Sequence, residues 1–83
     1  MLDLITNKLF RKWLTIFLKR TAKRYPETFM LMLDDLDLKP LARRVIKDRY
    51  INGLKWEAID YVDIRTSMNY HKIFLDKFTD QQK

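Results

Sequence analysis

The sequence predicts an all-α fold, a small bundle of about five helices, and two observations lead to that prediction. The 83 residues include one glycine and two prolines, whereas an all-β chain needs many turns and the residues that form them. Hydrophobic residues make up 47% of the chain and recur at helical spacing, which is not typical of a disordered chain. By its length the chain is expected to be a single domain over residues 1–83 with one core.

The first helix is expected over about residues 3–24, because the proline at position 26 prevents it from continuing. Its lysines gather within about 60° on a helical wheel, and apolar residues occupy most of the remainder. These lysines are Lys8, Lys12, Lys19 and Lys23. An apolar arc this wide predicts burial against several elements or against a partner, and a homodimer is one such arrangement.

The same helix is strongly basic, with seven cations and no anion in residues 8–24. Three interpretations fit this pattern: a stripe that contacts phosphates, a helix that lies on a membrane surface, or the solvated face of a core helix. We expect no membrane partner, because the apolar residues of this helix are needed to build the core.

The next two helices are each expected to begin at a proline, which suits the first turn of a helix. The stretch "PETFMLML" predicts a short helix from Pro26, and "PLARRVIKDRY" predicts a third from Pro40. The third helix has a core-facing stripe of Ala42, Ile46 and Tyr50. The aspartates between the two helices are expected to form a solvated turn rather than a metal site, because no calcium-loop spacing follows. They are Asp34, Asp35 and Asp37.

Asn52 and Gly53 signal a turn, because both residue types adopt left-handed backbone geometry. The stretch "KWEAIDYVD" then predicts a fourth helix of about two turns. Trp56, Ile59 and Val62 are spaced three apart and would form its apolar face.

The fifth helix is expected to begin near Thr66 or Ser67, since both residue types cap helices well. It runs to about residue 78 and would turn Met68 and Leu75 toward the core. Residues 79–83 are expected to form a polar tail.

The residue inventory argues against an enzyme and against a cofactor. The absence of cysteine excludes thiolate zinc sites and cysteine nucleophiles, and a single histidine leaves no nucleophile–base pair. One glycine cannot form a glycine-rich phosphate loop. We interpret His71 as an exposed helix residue, with a phosphate contact as the alternative. Glu57 and Asp60 share a helix face but have no expected pocket around them.

The expected location is the cytoplasm. A chain without cysteine suits a reducing compartment, and the start "MLDLITNKLFRKW" does not have the pattern of a secretory signal. No run of about 18 apolar residues is available to span a membrane.

The balance of charge suggests a polyanionic partner. The net charge is +6 and the isoelectric point is about 9.7, which favours nucleic acid, while a plain solubility charge is the alternative.

Residues 38–78 predict a helix-turn-helix, and residues 1–37 a helical support or dimerisation segment. In this motif the first helix braces the second, and the N-terminal end of the second meets base edges in the major groove. Arginine pairs with guanine there and asparagine with adenine. The candidates for base reading are Arg65, Thr66, Ser67, Asn69, Tyr70 and Lys72. The candidates for phosphate contact are Arg43, Arg44, Lys47 and Lys55.

Residues 38–59 read "LKPLARRVIKDRYINGLKWEAI". The pattern is a leucine-proline opening, a basic-hydrophobic helix ending in Arg49-Tyr50, a glycine-leucine turn, and an aromatic-glutamate-x-isoleucine helix from Trp56. It resembles region 4 of bacterial sigma factors and small phage transcription regulators built on that module. Asp60 stands where the family usually has alanine, and "VDIRT" replaces the usual leucine-glycine-isoleucine-serine turn. The resemblance, over about residues 38–78, implies a helix-turn-helix whose last helix binds promoter DNA and a module that can touch RNA polymerase.

We therefore expect a sequence-reading protein that binds double-stranded DNA, a small transcription regulator of the phage type that acts without catalysis. The alternative is a non-catalytic protein-binding module on a helical scaffold, such as a polymerase-associated protein or a phage-encoded inhibitor.

Overall fold

The computed structural model describes the backbone of residues 2–81 and the side chains of residues 8–80. Within that part of the chain the fold is all-α, as predicted, with four α-helices and no strand. The helices are α1 (Leu2–Arg24), α2 (Pro26–Asp35), α3 (Pro40–Tyr50) and α4 (Ile64–Gln81). A single 3₁₀ turn, Trp56–Ala58, lies between α3 and α4.

The prolines set the boundaries of the first three helices, as the sequence predicts. Pro26 and Pro40 each occupy the first turn of a helix, where the missing N–H costs no hydrogen bond. The residue before each proline leaves helical geometry, with ψ at 67° for Tyr25 and 147° for Lys39. The chain therefore turns sharply between α1 and α2 and again before α3.

Three aromatic rings form the centre of the core and join three helices. Phe29 of α2 stacks on Tyr50 of α3 with ring centroids 5.4 Å apart. Phe74 of α4 meets both rings edge-on, at 6.1 and 5.5 Å. From α1, Leu14 and Leu18 close the cluster. Each of these buried side chains contributes about 1.5–3 kcal/mol through the removal of apolar surface from water.

The fourth predicted helix is absent from the described residues, and the helix-turn-helix is not confirmed. Thirteen residues, 51–63, separate α3 from α4, whereas the turn of that motif takes three or four. Of the predicted apolar face only Ile59 is buried, and Trp56 and Val62 are half-buried. The segment is held by contacts to Asp48 of α3, described below, and these replace the helical hydrogen bonds that its periodicity suggests.

The last helix begins earlier than predicted, at Ile64 rather than at Thr66 or Ser67. The carbonyl of Asp63 accepts the Ser67 N–H at 2.9 Å, so Ser67 lies inside the first turns of α4. Leu75 is buried as predicted, but Met68 is 51% exposed. Ser67 takes the interior position at this end of α4, and Met68 lies at the edge of the buried face.

Candidate nucleic-acid interface

The net positive charge of the protein is concentrated on α1. Residues 8–24 carry seven cations and no anion, whereas residues 25–80 carry nine cations and ten anions. Any surface that attracts a polyanion strongly must therefore include α1.

The four lysines of α1 form an exposed row, which we call the lysine stripe: Lys8, Lys12, Lys19 and Lys23. They are exposed because α1 buries its other side, where Leu14, Leu18 and Ala22 meet the core. Over 15 residues of helix, the stripe extends for about 22 Å.

One end of the lysine stripe borders an open depression, which we call the basic groove. Its charged lining residues are Lys19, Lys23 and Arg49, and no carboxylate lines it. The remaining lining residues are Tyr50, Ile51, Asn52 and Gly53, at the end of α3 and the turn that follows. Partial burial and the positive charge of Arg49 both lower the pKa of Lys19. Three cations that share one groove provide a site where a phosphate would relieve their mutual repulsion.

The turn beside the basic groove depends on Gly53, which has φ of +69°. This left-handed geometry suits glycine, and it brings the Leu54 N–H to the carbonyl of Asp48 at 3.0 Å. The side-chain amide of Asn52 also donates to the Asp48 carboxylate at 2.7 Å. The Tyr61 hydroxyl donates to the other carboxylate oxygen at 2.5 Å. Asp48 thus fixes both ends of the segment 52–61.

Arg49 is held in place by two contacts. Its guanidinium donates to the carbonyl of Leu54 at 3.0 Å and lies 4.6 Å from the ring centroid of Trp56. These contacts leave the charge of Arg49 without a carboxylate partner in the basic groove. Arg49 belongs to the family pattern in the sequence but was not predicted as a phosphate contact, because its place beside α1 depends on the packing of α1 against α3.

The four residues predicted to contact phosphates do not line the basic groove. Arg43 donates to the carboxylate of Asp34 at 2.8 Å, in an exposed ion pair. Arg44 stacks over the ring of Tyr61 at 4.1 Å. Lys47 and Lys55 are exposed.

The six residues predicted to read bases fall on different sides of α4. Arg65, Asn69 and Lys72 are exposed, and their spacing of four and then three residues places them on one outward face. Thr66 and Tyr70 are half-buried on another side of the helix.

Ser67, the sixth residue predicted to read bases, lies neither on the outward face of α4 nor on its half-buried side. Its exposed fraction is 0%, so its hydroxyl cannot reach a base in this conformation. Asp60 and Asp63 are exposed, and both precede the start of α4 in the chain. Their negative charge opposes phosphates at that end of the helix.

His71 is a packing residue, which corrects our interpretation of it as an exposed one. It is half-buried, and Trp56 packs edge-on against it at 5.2 Å. Burial lowers its pKa to about 4, and the nearby charges of Arg49, Lys19 and Arg11 act in the same direction. The imidazole is therefore neutral at neutral pH and takes no part in attracting phosphates.

The wide apolar arc of α1 is only partly covered. Two flat contacts join its aromatic rings, Phe10 with Trp13 at 6.1 Å and Trp13 with Phe17 at 5.5 Å. With two aliphatic neighbours these rings form what we call the aromatic ridge: Leu9, Phe10, Trp13, Ile16 and Phe17, between 42% and 64% exposed. The sequence predicted that the apolar arc would be buried against several elements or against a partner. Burial against other elements is seen only on the side of α1 that carries Leu14, Leu18 and Ala22, and the aromatic ridge is left exposed.

No helix within residues 2–81 is long and apolar enough to cross a membrane. In comparisons with known proteins, the chain matches no family model, no curated protein and no solved structure.

Proposed function

We propose that this chain is a non-catalytic DNA-binding protein that holds the phosphate backbone of a duplex with the lysine stripe and the basic groove. The observation that carries the proposal is the position of the charge. All of the excess positive charge in residues 8–80 lies on α1, and Arg49 extends it into a groove that no carboxylate lines.

The dimensions of the lysine stripe suit a nucleic-acid backbone. Duplex DNA carries one phosphate charge per about 1.7 Å of its axis, so a stripe about 22 Å long can contact several phosphates. The four lysines and Arg49 would neutralise about five phosphates. Release of the counterions then lowers the affinity on the order of 500-fold when salt rises from about 50 to about 200 mM.

In this proposal α4 contributes sequence preference rather than affinity. Arg65 and Asn69 have the side chains that pair with guanine and adenine, and both are exposed on one face with Lys72. Because Asp60 and Asp63 oppose phosphates near the start of α4, we assign the phosphate contacts mainly to α1. Regulation of transcription through such binding is part of the same proposal.

The test compares two lysine pairs by fluorescence anisotropy with a random duplex at several salt concentrations. The double variant Lys19→Gln/Lys23→Gln removes two charges from the basic groove. The matched control Lys47→Gln/Lys55→Gln removes the same charge from exposed positions outside it. The quantity compared is the slope of the logarithm of DNA affinity against the logarithm of salt concentration. We expect the groove variant to lower this slope by the amount that about two phosphate contacts contribute, and the control to leave it unchanged.

Three outcomes would overturn the proposal. The first is no binding by the folded wild-type chain at low salt. The second is an equal loss in both double variants, which would indicate a diffuse attraction without a defined surface. The third is a loss in the control alone, which would return the phosphate contacts to α3 and the loop after it.

A second candidate function is a protein-binding module, and the aromatic ridge is the observation that favours it. Exposed, contiguous aromatic rings are typical of protein interfaces. RNA polymerase, which the resemblance implies as a partner, belongs to this candidate. The variant Trp13→Ala would then abolish binding to the partner protein and leave DNA binding unchanged.

A further inference from the structure

We propose that the aromatic ridge and the cations beside it bind the surface of an anionic lipid membrane, with α1 lying along that surface rather than crossing it. The ridge would enter the boundary between the headgroups and the acyl chains, and the lysines and arginines would contact the lipid phosphates. This inference goes beyond DNA binding and does not depend on it.

The aromatic ridge is available to a partner because α1 does not use it to build the core. On a helical wheel the centre of the ridge lies about 140° from the centre of the buried residues of α1. Applied to ordinary ring areas, the exposed fractions of Phe10, Trp13 and Phe17 leave roughly 300 Å² of aromatic surface in water. The expectation of no membrane partner rested on a need for these residues in the core, and their exposure removes that reason.

Six of the seven cations in residues 8–24 are exposed, and they lie beside the aromatic ridge or beyond its end. The lysine stripe runs along one side, about 110° from the ridge on the helical wheel. Arg20 and Arg24 continue the line of the ridge past Phe17, and no carboxylate lines the groove that they share with it. Lysine and arginine side chains are long enough to reach lipid phosphates while the apolar residues between them are inserted.

The carboxylates near the other end of the ridge do not reverse this charge. A shallow groove beside Phe10 is lined in part by Arg11, Asp76 and Asp80. Arg11 donates to Asp76 at 2.5 Å, and Asp80 also has an interaction partner. Two lysines of the lysine stripe lie on the same turns of α1 as Phe10, so the surroundings of the ridge are positive at both ends.

Charge and ring geometry favour a lipid surface over other covers for the ridge. A second copy of this chain would place the same cations against one another. Unpaired bases stack on free ring faces, whereas Phe10 and Phe17 stack on Trp13 from its two sides, at 6.1 and 5.5 Å. A protein would need acidic groups matched to six separate cations, whereas an anionic membrane presents phosphates along the whole length of α1.

The first measurement is flotation of the full chain, without DNA, with vesicles of phosphatidylcholine alone and with vesicles that also contain about 30% phosphatidylserine. We expect binding to the anionic vesicles that weakens as salt is added, and no binding to the neutral ones.

Tryptophan fluorescence tests whether the ridge enters the membrane. The chain has two tryptophans, so Trp56→Phe leaves Trp13 as the single emitter. Its emission should shift to the blue on binding to anionic vesicles, because the ring leaves water. In the matched variant Trp13→Phe, the emission of Trp56 should stay unchanged on binding.

Two pairs of variants separate the apolar contribution from the charged one. Trp13→Ala should weaken vesicle binding at least about tenfold, whereas Leu31→Ala, at an exposed apolar residue of α2, should leave it unchanged. Lys8→Gln/Lys12→Gln should weaken it on the order of 20-fold, since each lysine near anionic lipid contributes about fivefold. Lys47→Gln/Lys55→Gln should change it by less than about twofold. Circular dichroism should show an unchanged fold in all four, because the changed residues are exposed.

No binding of the folded chain to anionic vesicles at low salt would overturn the proposal. Equal losses within the two lysine pairs, or no loss in Trp13→Ala, would do the same, because they would indicate a diffuse attraction of charge. Binding of single-stranded oligothymidine instead of vesicles, lost in Trp13→Ala, would assign the ridge to unpaired bases. Failure of DNA binding is distinguishable, because a chain that binds vesicles but no duplex would overturn the proposed function alone.

Discussion

The Tyr50 hydroxyl is hydrogen-bonded to Nε2 of His71 across 2.6 Å, and this contact ties the end of α3 to the middle of α4. The two rings also pack against one another, with centroids 5.6 Å apart. Nε2 accepts a hydrogen bond from the tyrosine only while the imidazole is neutral. The pKa of about 4 for His71, lowered first by burial, is consistent with that state.

We predict that stability falls as the pH is lowered through the range between the unfolded and folded pKa values of His71. In the unfolded chain this pKa is about 6.5, and in the folded protein it is about 4. Below about pH 6.5 the unfolded chain binds a proton on His71 that the folded protein does not bind, and this lowers the free energy of unfolding. The stabilisation is therefore complete above pH 6.5 and is lost progressively as the pH falls toward 4. The loss between pH 7 and pH 5 should be about 2 kcal/mol, measured by urea unfolding.

The control for this prediction is His71→Gln, which removes the titrating group. Its stability should change much less between pH 7 and pH 5, because most carboxylates remain ionised over that interval. Equal losses in the wild type and in His71→Gln would show that another group causes the pH dependence.

The parts of the fold that the sequence predicted correctly are those governed by local signals. Pro26 and Pro40 mark helix starts by their own chemistry, and the stripe of α3 follows from its periodicity. The segment 51–63 could not be predicted in this way. Its hydrogen bond from Tyr61 to Asp48 joins residues 13 apart, and periodicity does not report such a contact.

In the candidate site, too, the features set by local sequence could be predicted, and those set by packing between helices could not. The lysine stripe could be predicted from the sequence, because a helical wheel places the four lysines of α1 on one face. The contribution of Arg49 to the basic groove could not be predicted, since its position beside Lys19 depends on how α3 packs against α1. The wheel also could not show which part of the wide apolar arc would face the core and which would become the aromatic ridge.

We predict that Gly53→Ala destabilises the protein by about 1–2 kcal/mol, the cost of a left-handed residue with a Cβ atom. The backbone alone causes this loss, because a Cβ atom at Gly53 would meet nothing within 4 Å. Gly53→Asn is the matched variant, and it should lose less because asparagine tolerates left-handed geometry. Urea unfolding of the three proteins measures the difference, and an equal loss in both variants would point to a steric cause instead.

We predict that Asp48 and Tyr61 are energetically coupled by about 1–2 kcal/mol, because the Tyr61 hydroxyl donates to an ionised carboxylate. Burial and this hydrogen bond together raise the pKa of Tyr61 to about 12, so the hydroxyl keeps its proton at neutral pH. A double-mutant cycle with Asp48→Ala and Tyr61→Phe measures the coupling. Asp60→Ala, an exposed aspartate of the same segment, is the control. Additive effects of the two changes would mean that the contact does not hold the segment in place.

We predict that Ser67→Ala stabilises the protein by about 1 kcal/mol. The Ser67 hydroxyl is fully buried in α4 and has no hydrogen-bond partner among the described residues, so its oxygen loses water without compensation. Alanine removes that oxygen and is also the better helix former. Urea unfolding measures the gain, and a loss of stability would mean that the hydroxyl is satisfied in solution. Because Ser67 does not reach the surface, Ser67→Ala should also leave DNA affinity unchanged.

Asn69→Ala, on the outward face of the same helix, should change stability by less than about 0.5 kcal/mol and should weaken binding to a preferred DNA sequence alone.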